Sequence, residues 1–454
     1  MQNDWAYNEL YRAKLWDKRC VHTLVAAVQL LADNAQASLS QVLAGKRKAI
    51  SHILHRKQTT AEDLLLGHIR ATATRCKQED LVLIASDTTT MDFTTHFALE
   101  GVGPISDKKY QRGFLVHSAL AMTRSGLPLG LLYQHSWARD PQTAGHAQKR
   151  KERPAEQKES HKWLQALRGV EEALPKDQQA LLIQDREADV FEFFCAERRP
   201  NVHLLIRASQ SRRIEVDTLG EAHTVFEAVG AAPVIATKTV VVHAHPNQPG
   251  REAHLCVRLL TLWIRAPQNG PASKAPSVRL CVIRAREETP AEGVKAPIDW
   301  ILLTSWPVED AATALLMIDY YAYRWRIERL HFVLKSGCGY ERLQVDTLDG
   351  LQKALSLYSI VAWRLLQLTY LGREAWDAPA EEAVCAIERQ VLEMTSGKPI
   401  ATARDALLAV AHLAGFVSVP SAPMPGVKTL WIGLRKLHDM AEGFRLARQY
   451  LARR

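Results

Sequence analysis

The chain has 454 residues, 47% of them apolar and 24% charged. That balance excludes wholesale disorder and collagen-like structure, and the length implies two or three globular domains at about 150 residues each. Lys and Arg number 58 against 49 Asp and Glu, a net charge of +9, which favours a polyanionic partner without establishing one.

No apolar run approaches the ~20 residues of a membrane helix, so no membrane partner is expected. The first residues, MQNDWAYNELYRAKLWDKR, carry charge from the start and do not read as a secretory signal. The seven cysteines are scattered and form no C-x-x-C pair, which fits a reducing cytoplasm better than a disulfide framework or a structural zinc site.

Residues 1–75 read as helical. Val21 to Leu31 and Leu39 to Leu54 have helical period, and Thr60 followed by Ala-Glu-Asp resembles a helix start. Lys46, Arg47, Lys48, Arg56 and Lys57 make the second stretch basic, as a DNA-binding module or a solvated face would be. From Asp80 the texture becomes strand-like. LVLIA (81–85) is a buried-type strand ended by Ser86 and Asp87. GFLVHSALAM (113–122) and LPLGLLY (127–133) suggest a hairpin across Ser125-Gly126. Residues 139–160 are polar and aperiodic, and read as a mobile surface loop. A helix from His161 to Leu174 precedes ALLIQ (180–184), a second buried-type strand that ends at Asp185. A helix around 190–194 and a strand at 203–206 follow.

Residues 212–298 look like a separate β-rich piece. WILLT (300–304) resumes the buried-strand texture, and Glu309 to about Lys335 reads as one long helix. The remainder is helical, broken by Ser396-Gly397-Lys398-Pro399 and by the Pro-rich stretch 420–426. His243, His245, His254 and Cys256 make a weak zinc candidate. Gly101-Val-Gly103 is too short for a nucleotide loop and no Walker-type motif exists, so no nucleotide cofactor is expected.

Asp87 and Asp185 each close a run of apolar strand residues. At such strand ends in an α/β sheet, carboxylates can share hard divalent cations with phosphate oxygens. Asp also ends strands simply because it favours turns, and Asp92, Glu187 and Asp189 lie close enough that spacing does not select the ligand. On one continuous helix, Tyr321, Arg324, Glu328 and Lys335 would share a stripe ~60° wide at 3.6 residues per turn. Ile327, Leu330 and Leu334 would face the other way, into the core. Such a stripe suits phosphate and metal contacts, or a solvated row of ion pairs.

The combination carries more than its parts. SDTTTMDF around Asp87, DREADVFEF around Asp185 and YAYRWRIERLHFVLK from Tyr321 to Lys335 resemble the bacterial insertion-sequence DDE transposases with the Y-R-E-K signature. These belong to the cut-and-paste branch that passes through a DNA hairpin. KESHKW, WILLTSWPVE, GFLVHSAL and the LAGF…PG…LWIGL pattern add to the likeness, which spans nearly the whole chain and is weakest in the first 80 residues.

The resemblance implies an α/β fold: a ribonuclease H-like mixed sheet with a β-rich insertion before the last catalytic helix, flanked by helical N- and C-terminal domains. It places a DNA-binding domain at 1–75, a catalytic domain at 76–374 with its insertion at about 212–298, and a dimerising domain at 375–454. Asp87, Asp185 and Glu328 would hold a pair of Mg²⁺ ions, with Mn²⁺ able to substitute. Nicking, hairpin formation, hairpin opening and strand transfer would share that site. Tyr321, Arg324 and Lys335 would contact phosphates near the cut.

Trp300 would stack a flipped base; without the resemblance, core packing of a strand is the simpler account. Trp325 and Arg207 are further candidate DNA contacts. The partners implied are the element's double-stranded ends, target DNA and a second copy of the chain, in a bacterial cytoplasm and on the nucleoid when bound. Two other readings compete: a metal-dependent endonuclease that does not join ends, and a catalytically silent protein that occupies the ends and represses.

Overall fold

The computed structural model describes residues 5–33, 47–106, 110–141, 161–215, 223–242, 250–270, 272–419 and 424–452. In chain order the helices and strands are α1 (Trp5–Leu10), α2 (Lys18–Asp33), α3 (Arg47–His55), α4 (Ala61–Cys76), β1 (Leu81–Asp92), β2 (Gly103–Pro104), β3 (Arg112–Met122), β4 (Pro128–Trp137) and α5 (His161–Ala173). There follow β5 (Gln179–Gln184), α6 (Phe191–Phe194), β6 (Val202–Arg207), α7 (Val225–Ala231), β7 (Val234–Val242), β8 (Arg251–Ile264), β9 (Val278–Arg286) and β10 (Asp299–Thr304). The chain then turns helical: α8 (Ala311–Ala322), α9 (Trp325–Phe332), α10 (Leu348–Glu374), α11 (Ala386–Ser396), α12 (Ala403–Leu413) and α13 (Val427–Leu451). This is the mixed α/β architecture, with a large mixed sheet and helices at both ends, expected of a ribonuclease H-like transposase core.

The chain forms two compact units. One comprises Met1–Glu79, Thr88–Gly145 and Arg326–Arg454; the other comprises Asp80–Asp87 and His146–Trp325. In the second unit the strands lie in the order β1-β5-β6-β10-β9-β8-β7. β1, β5 and β6 are parallel, and the rest pair antiparallel. Leu83, Ile84, Leu181, Ile183, Leu204 and Ile206 are fully buried, so these central strands read as continuous apolar runs. The region around 212–298 is not a separate piece. Its strand β9 pairs with β10 along six residues from Asp299↔Arg286 to Thr304↔Cys281, extending the sheet, and it also carries a helix, α7.

In the first unit, β3 and β4 form the expected hairpin. Gly126 sits at φ +84° in its turn, where an L side chain is strained and a Cβ would strike the Arg326 guanidinium. Arg326 itself is buried. It donates to the Gly126 carbonyl and to Glu374 (2.8 Å), and lies 4.1 Å over the Tyr370 ring, fixing the start of α9. Helix α4 starts at Thr60 with a reciprocal cap: the Asp63 N–H donates to Thr60 Oγ1 and the Thr60 N–H to the Asp63 carboxylate, both at 3.1 Å.

The buried Glu9 and His68 and the half-buried Arg75 tie the N-terminal helices to β4. His68 Nδ1 meets Glu9 Oε2 at 2.6 Å, Arg75 donates to Glu9 Oε1 at 2.7 Å, and the Leu131 backbone N–H donates to His68 Nε2 at 3.0 Å. A nitrogen that accepts a backbone N–H carries no proton, so His68 is neutral. The last four helices share one core, including Leu371, Leu392, Leu407, Val410, Leu430 and Leu437. Among the described residues no helix is long and apolar enough to cross a membrane. Residues 142–160, most of the expected mobile loop, lie outside the described residues, as do 34–46, 420–423, His243 and His245.

Candidate active site

Asp87 and Asp185 are brought together by strand register. β1 and β5 pair in parallel from Leu81↔Gln179 to Ala85↔Ile183, and the same offset two residues further sets Asp87 beside Asp185. Adjacent strands are about 4.8 Å apart. Ser86 and Gln184, immediately before the two acids, touch at 3.3 Å in the buried interior. β5 and β6 continue the row, since Gln184 pairs with Ile206 and the next step sets Arg207 beside Asp185.

Asp87 does not end its strand. β1 runs on to Asp92, because Thr88, Thr89 and Thr90 are β-branched and suit extended backbone. What changes at Asp87 is burial: the strand is sealed through Ser86 and half-buried from Asp87. Arg207 likewise is the last residue of β6 rather than one beyond it.

The neighbouring acids are accounted for. Asp189 is buried and accepts from Ser209 N (2.7 Å), Ser209 Oγ (3.0 Å), Gln210 N (3.2 Å) and Arg212 Nε (2.8 Å), so it holds the chain after β6. Glu187 is exposed and pairs with Lys162 at 2.9 Å. Asp92 accepts from Thr94 N (2.9 Å) and Oγ1 (2.6 Å) in a turn. Asp185 accepts one backbone bond, from Glu187 N at 2.9 Å. Burial raises its pKa, with Asp87 adding to the rise and Arg324 opposing it.

Around the two acids in the second unit stands a cationic and aromatic wall. The buried Tyr321 side chain lies beside the guanidinium groups of Arg207 and Arg324. Burial pushes the phenol's pKa up, while the two arginines pull against it. Burial lowers the pKa of Arg207, which also donates to the Asp299 carbonyl at 3.3 Å. The half-buried Trp300 ring meets Tyr321 edge to face, with centroids 5.2 Å apart. Trp325 is 54% exposed, and the Arg324 guanidinium lies 4.8 Å over its ring.

The single helix expected from Glu309 to Lys335 is interrupted. The N–H groups of Tyr323 and Arg324 bond back three residues, to Tyr320 (3.1 Å) and Tyr321 (3.0 Å), which tightens the chain into a 3₁₀ step between α8 and α9. That step sets Arg324 almost directly over Tyr321, so that the guanidinium acts on the phenol. The sequence offered no Pro or Gly to announce it. A second irregularity, a π turn over Val333–Gly337, follows α9. The common stripe calculated for a regular helix therefore does not carry through to Lys335. Nor is the stripe solvated: Tyr321 and Arg324 are buried, and Glu328 and Lys335 half-buried.

Glu328 and Lys335 belong to the first unit. Glu328 lies in the first turn of α9, where the helix dipole favours a carboxylate. Lys335 pairs with Glu341 at 3.7 Å. Glu341 and Arg326 are positioning groups that no sequence signal marked.

Asp87 and Asp185 are hard oxygen donors, side by side and partly desolvated, each raising the cost of charge on the other. That donor set suits Mg²⁺ or Mn²⁺. Among the described residues no three His, Cys, Asp or Glu side chains converge as a ready metal cluster. His254 of the zinc candidate is engaged with Thr239 at 3.0 Å.

Residues 80–364, more than half of the chain, match the family described as Transposase DDE domain. Among solved structures, a piggyBac transposase synaptic complex with hairpin DNA, determined by cryo-EM, aligns at 7% identity and a TM-score of 0.38, covering 95% of this chain and 73% of that one.

Proposed function

The chain belongs to the transposase DDE-domain family, and on that premise we propose that it is a metal-dependent DNA transposase of the cut-and-paste type. One observation carries the reading: the strand register sets Asp87 beside Asp185, with Arg207, Arg324, Tyr321 and Trp300 gathered next to them. Glu328 is the third acid in this reading, on the sequence signature alone. Bound Mg²⁺ or Mn²⁺, two ions per site, would supply Lewis-acid activation of the scissile phosphate and of the attacking oxygen.

The chain's own residues divide the remaining work. Asp87 and Asp185 give the donor oxygens, and their desolvation favours occupation by cations over two bare charges. Arg324 and Arg207 present guanidinium N–H groups that suit phosphate oxygens in pairs. Tyr321 fixes the direction of both. Lys335 adds a point charge for a nearby phosphate. Trp300 is braced by Tyr321 and offers its indole to a base released from a tight hairpin, a contact worth about 1–3 kcal/mol.

Residues 1–75 are assigned to end recognition. Exposed rings with cations over them, Arg12 on Tyr11 (5.0 Å) and Arg56 on Trp16 (4.1 Å), support that assignment. Residues 76–374 are assigned to catalysis, and 375–454 to pairing of two copies on two ends, in a bacterial cytoplasm.

The test is incubation of the full-length protein with a linear duplex carrying the element's end and flank, in Mg²⁺ or Mn²⁺, followed by denaturing gels. A nick at the boundary and then a hairpin-length product are expected. Specific binding with no cut in either metal would move the protein to the repressor class. Hydrolysis with no hairpin or joined product would move it to the endonuclease class.

A further inference from the structure

Among the described residues, Phe97 is the most exposed large apolar side chain, at 85%. It is not exposed because its loop is loose. Phe93, at the root of the loop, is buried between Phe114 (5.9 Å between centroids) and Tyr340 (6.0 Å). The Asp92 carboxylate caps Thr94, and Thr94 Oγ1 accepts from the Arg112 backbone N–H at 3.2 Å. The Arg112 guanidinium donates to the carbonyls of Phe97 (3.4 Å) and Leu99 (2.6 Å). On the far side, the Glu100 N–H donates to the Asp346 carbonyl, and the Leu348 N–H to the Glu100 carbonyl, both at 3.0 Å. A second bare ring, Tyr110 at 66% exposure, stands two residues before Arg112.

The base of this loop is joined to a cation the functional reading already uses. Glu341 Oε1 accepts the Asp92 backbone N–H at 2.9 Å and pairs with Lys335 Nζ at 3.7 Å. One carboxylate thus sets both the start of the Phe97 loop and the position of the Lys335 ammonium. Five residues of chain from Asp92 reach at most about 18 Å, and the two contacts through Glu341 bring the limit from Lys335 Nζ to about 25 Å, roughly seven base steps at 3.4 Å per step. A ring held rigidly at that range from a phosphate-binding cation suits one occupant, the face of an unstacked nucleobase. Every base offers a π-face, so such a contact needs no sequence.

We propose that Phe97, with Tyr110 beside the same Arg112, stacks on a base of the DNA strand whose backbone Lys335 engages, and so holds that strand open near the cut. The proposal rests on the transposase reading.

The experiment uses the full-length protein and duplexes of the element's end and flank, substituted with 2-aminopurine at one position at a time. With the wild type, fluorescence should change at a position within about seven steps of the phosphate that Lys335 engages at the boundary. Phe97→Ala should abolish that change and weaken binding roughly tenfold, and Phe97→Trp should keep both. Its melting temperature should match the wild type, since the ring is not in the core. Wild-type fluorescence and affinity in Phe97→Ala overturn the proposal. So does conversion of the DNA-free protein from dimer to monomer by Phe97→Ala, because the ring would then face a second copy. Asp185→Asn, assayed beside it, judges the functional reading separately. If Asp185→Asn still cuts, that reading fails whatever Phe97 does.

Discussion

Trp300 and Tyr321 meet edge to face, ring centroids 5.2 Å apart and planes at 69°. Tyr321 in turn lies beside the guanidinium groups of Arg207 and Arg324. The indole is thus braced by a ring whose own position is set by two cations. Under the proposed function, this arrangement would hold the indole planar and in place while DNA is deformed against it.

Trp300→Ala should therefore slow hairpin formation by about 1–3 kcal/mol, a factor of about 5 to 150, while changing the first nick little. Time courses on denaturing gels separate the two steps. Equal loss at both would show that Trp300 acts earlier, as a packing residue of β10.

Glu328→Gln should abolish cleavage and leave end binding within a few fold, measured by gel shift and by gels of the products. Surviving cleavage would remove Glu328 from the metal set.

Asp185 carries a pH signature. Burial and the charge of Asp87 raise its pKa, so the folded chain holds this proton more tightly than the unfolded chain does. Its contribution to stability is therefore largest below the unfolded value of about 3.9, and falls as pH rises through the raised folded value. In metal-free buffer at neutral pH, Asp185→Asn should melt higher than the wild type while cutting nothing. Added Mg²⁺ should stabilise the wild type and not the variant. A lower melting temperature for Asp185→Asn in metal-free buffer would contradict the desolvated-pair account.

Glu9 titrates in the opposite sense. Burial alone would raise its pKa, but the His68 hydrogen bond and the charge of Arg75 bring it down from the usual 4.5 to about 2. Its contribution is present above 4.5 and is lost as pH falls toward 2, at most about 3 kcal/mol at 1.36 kcal/mol per unit. His68, whose pKa burial lowers, adds acid sensitivity starting below its usual 6.5. Denaturant titrations across pH should show stability falling on the acid side, and Glu9→Gln should flatten that limb below 4.5. An unchanged acid limb in Glu9→Gln would place the sensitivity elsewhere.

The central strands were legible because fully buried parallel strands write themselves as unbroken apolar runs, as in LVLIA, ALLIQ and WILLT. The hairpin was legible from Ser125-Gly126, whose glycine occupies positive φ. The two aspartates were legible as candidates, and the family resemblance, not their spacing, preferred them to Asp189 and Glu187; the structure adds a physical ground for that preference. It rests on which carboxylates are consumed by backbone N–H groups and arginines, and sequence spacing is blind to that. The strand was expected to end at Ser86 and Asp87, and the threonines after them proved to continue it. The break at Tyr323–Arg324 left no mark, since bonding geometry made it and no helix-breaking residue did. Arg326 and Glu341 were silent because Gly126 and Glu374, which Arg326 holds, and Asp92, which Glu341 holds, lie far away in the chain.

The turn after α9 has a consequence for how such chains can change. There the Cys338 N–H reaches back five residues, to the Val333 carbonyl at 2.7 Å. A loop of that size is a helix holding one residue more than it needs. Losing a residue between Val333 and Gly337 would let the segment relax into regular coiling and swing the Lys335 ammonium around the axis. A deletion that leaves every named side chain intact could therefore disarm the protein. The interval between Lys335 and Cys338 would then be guarded as a length, independently of the letters that fill it.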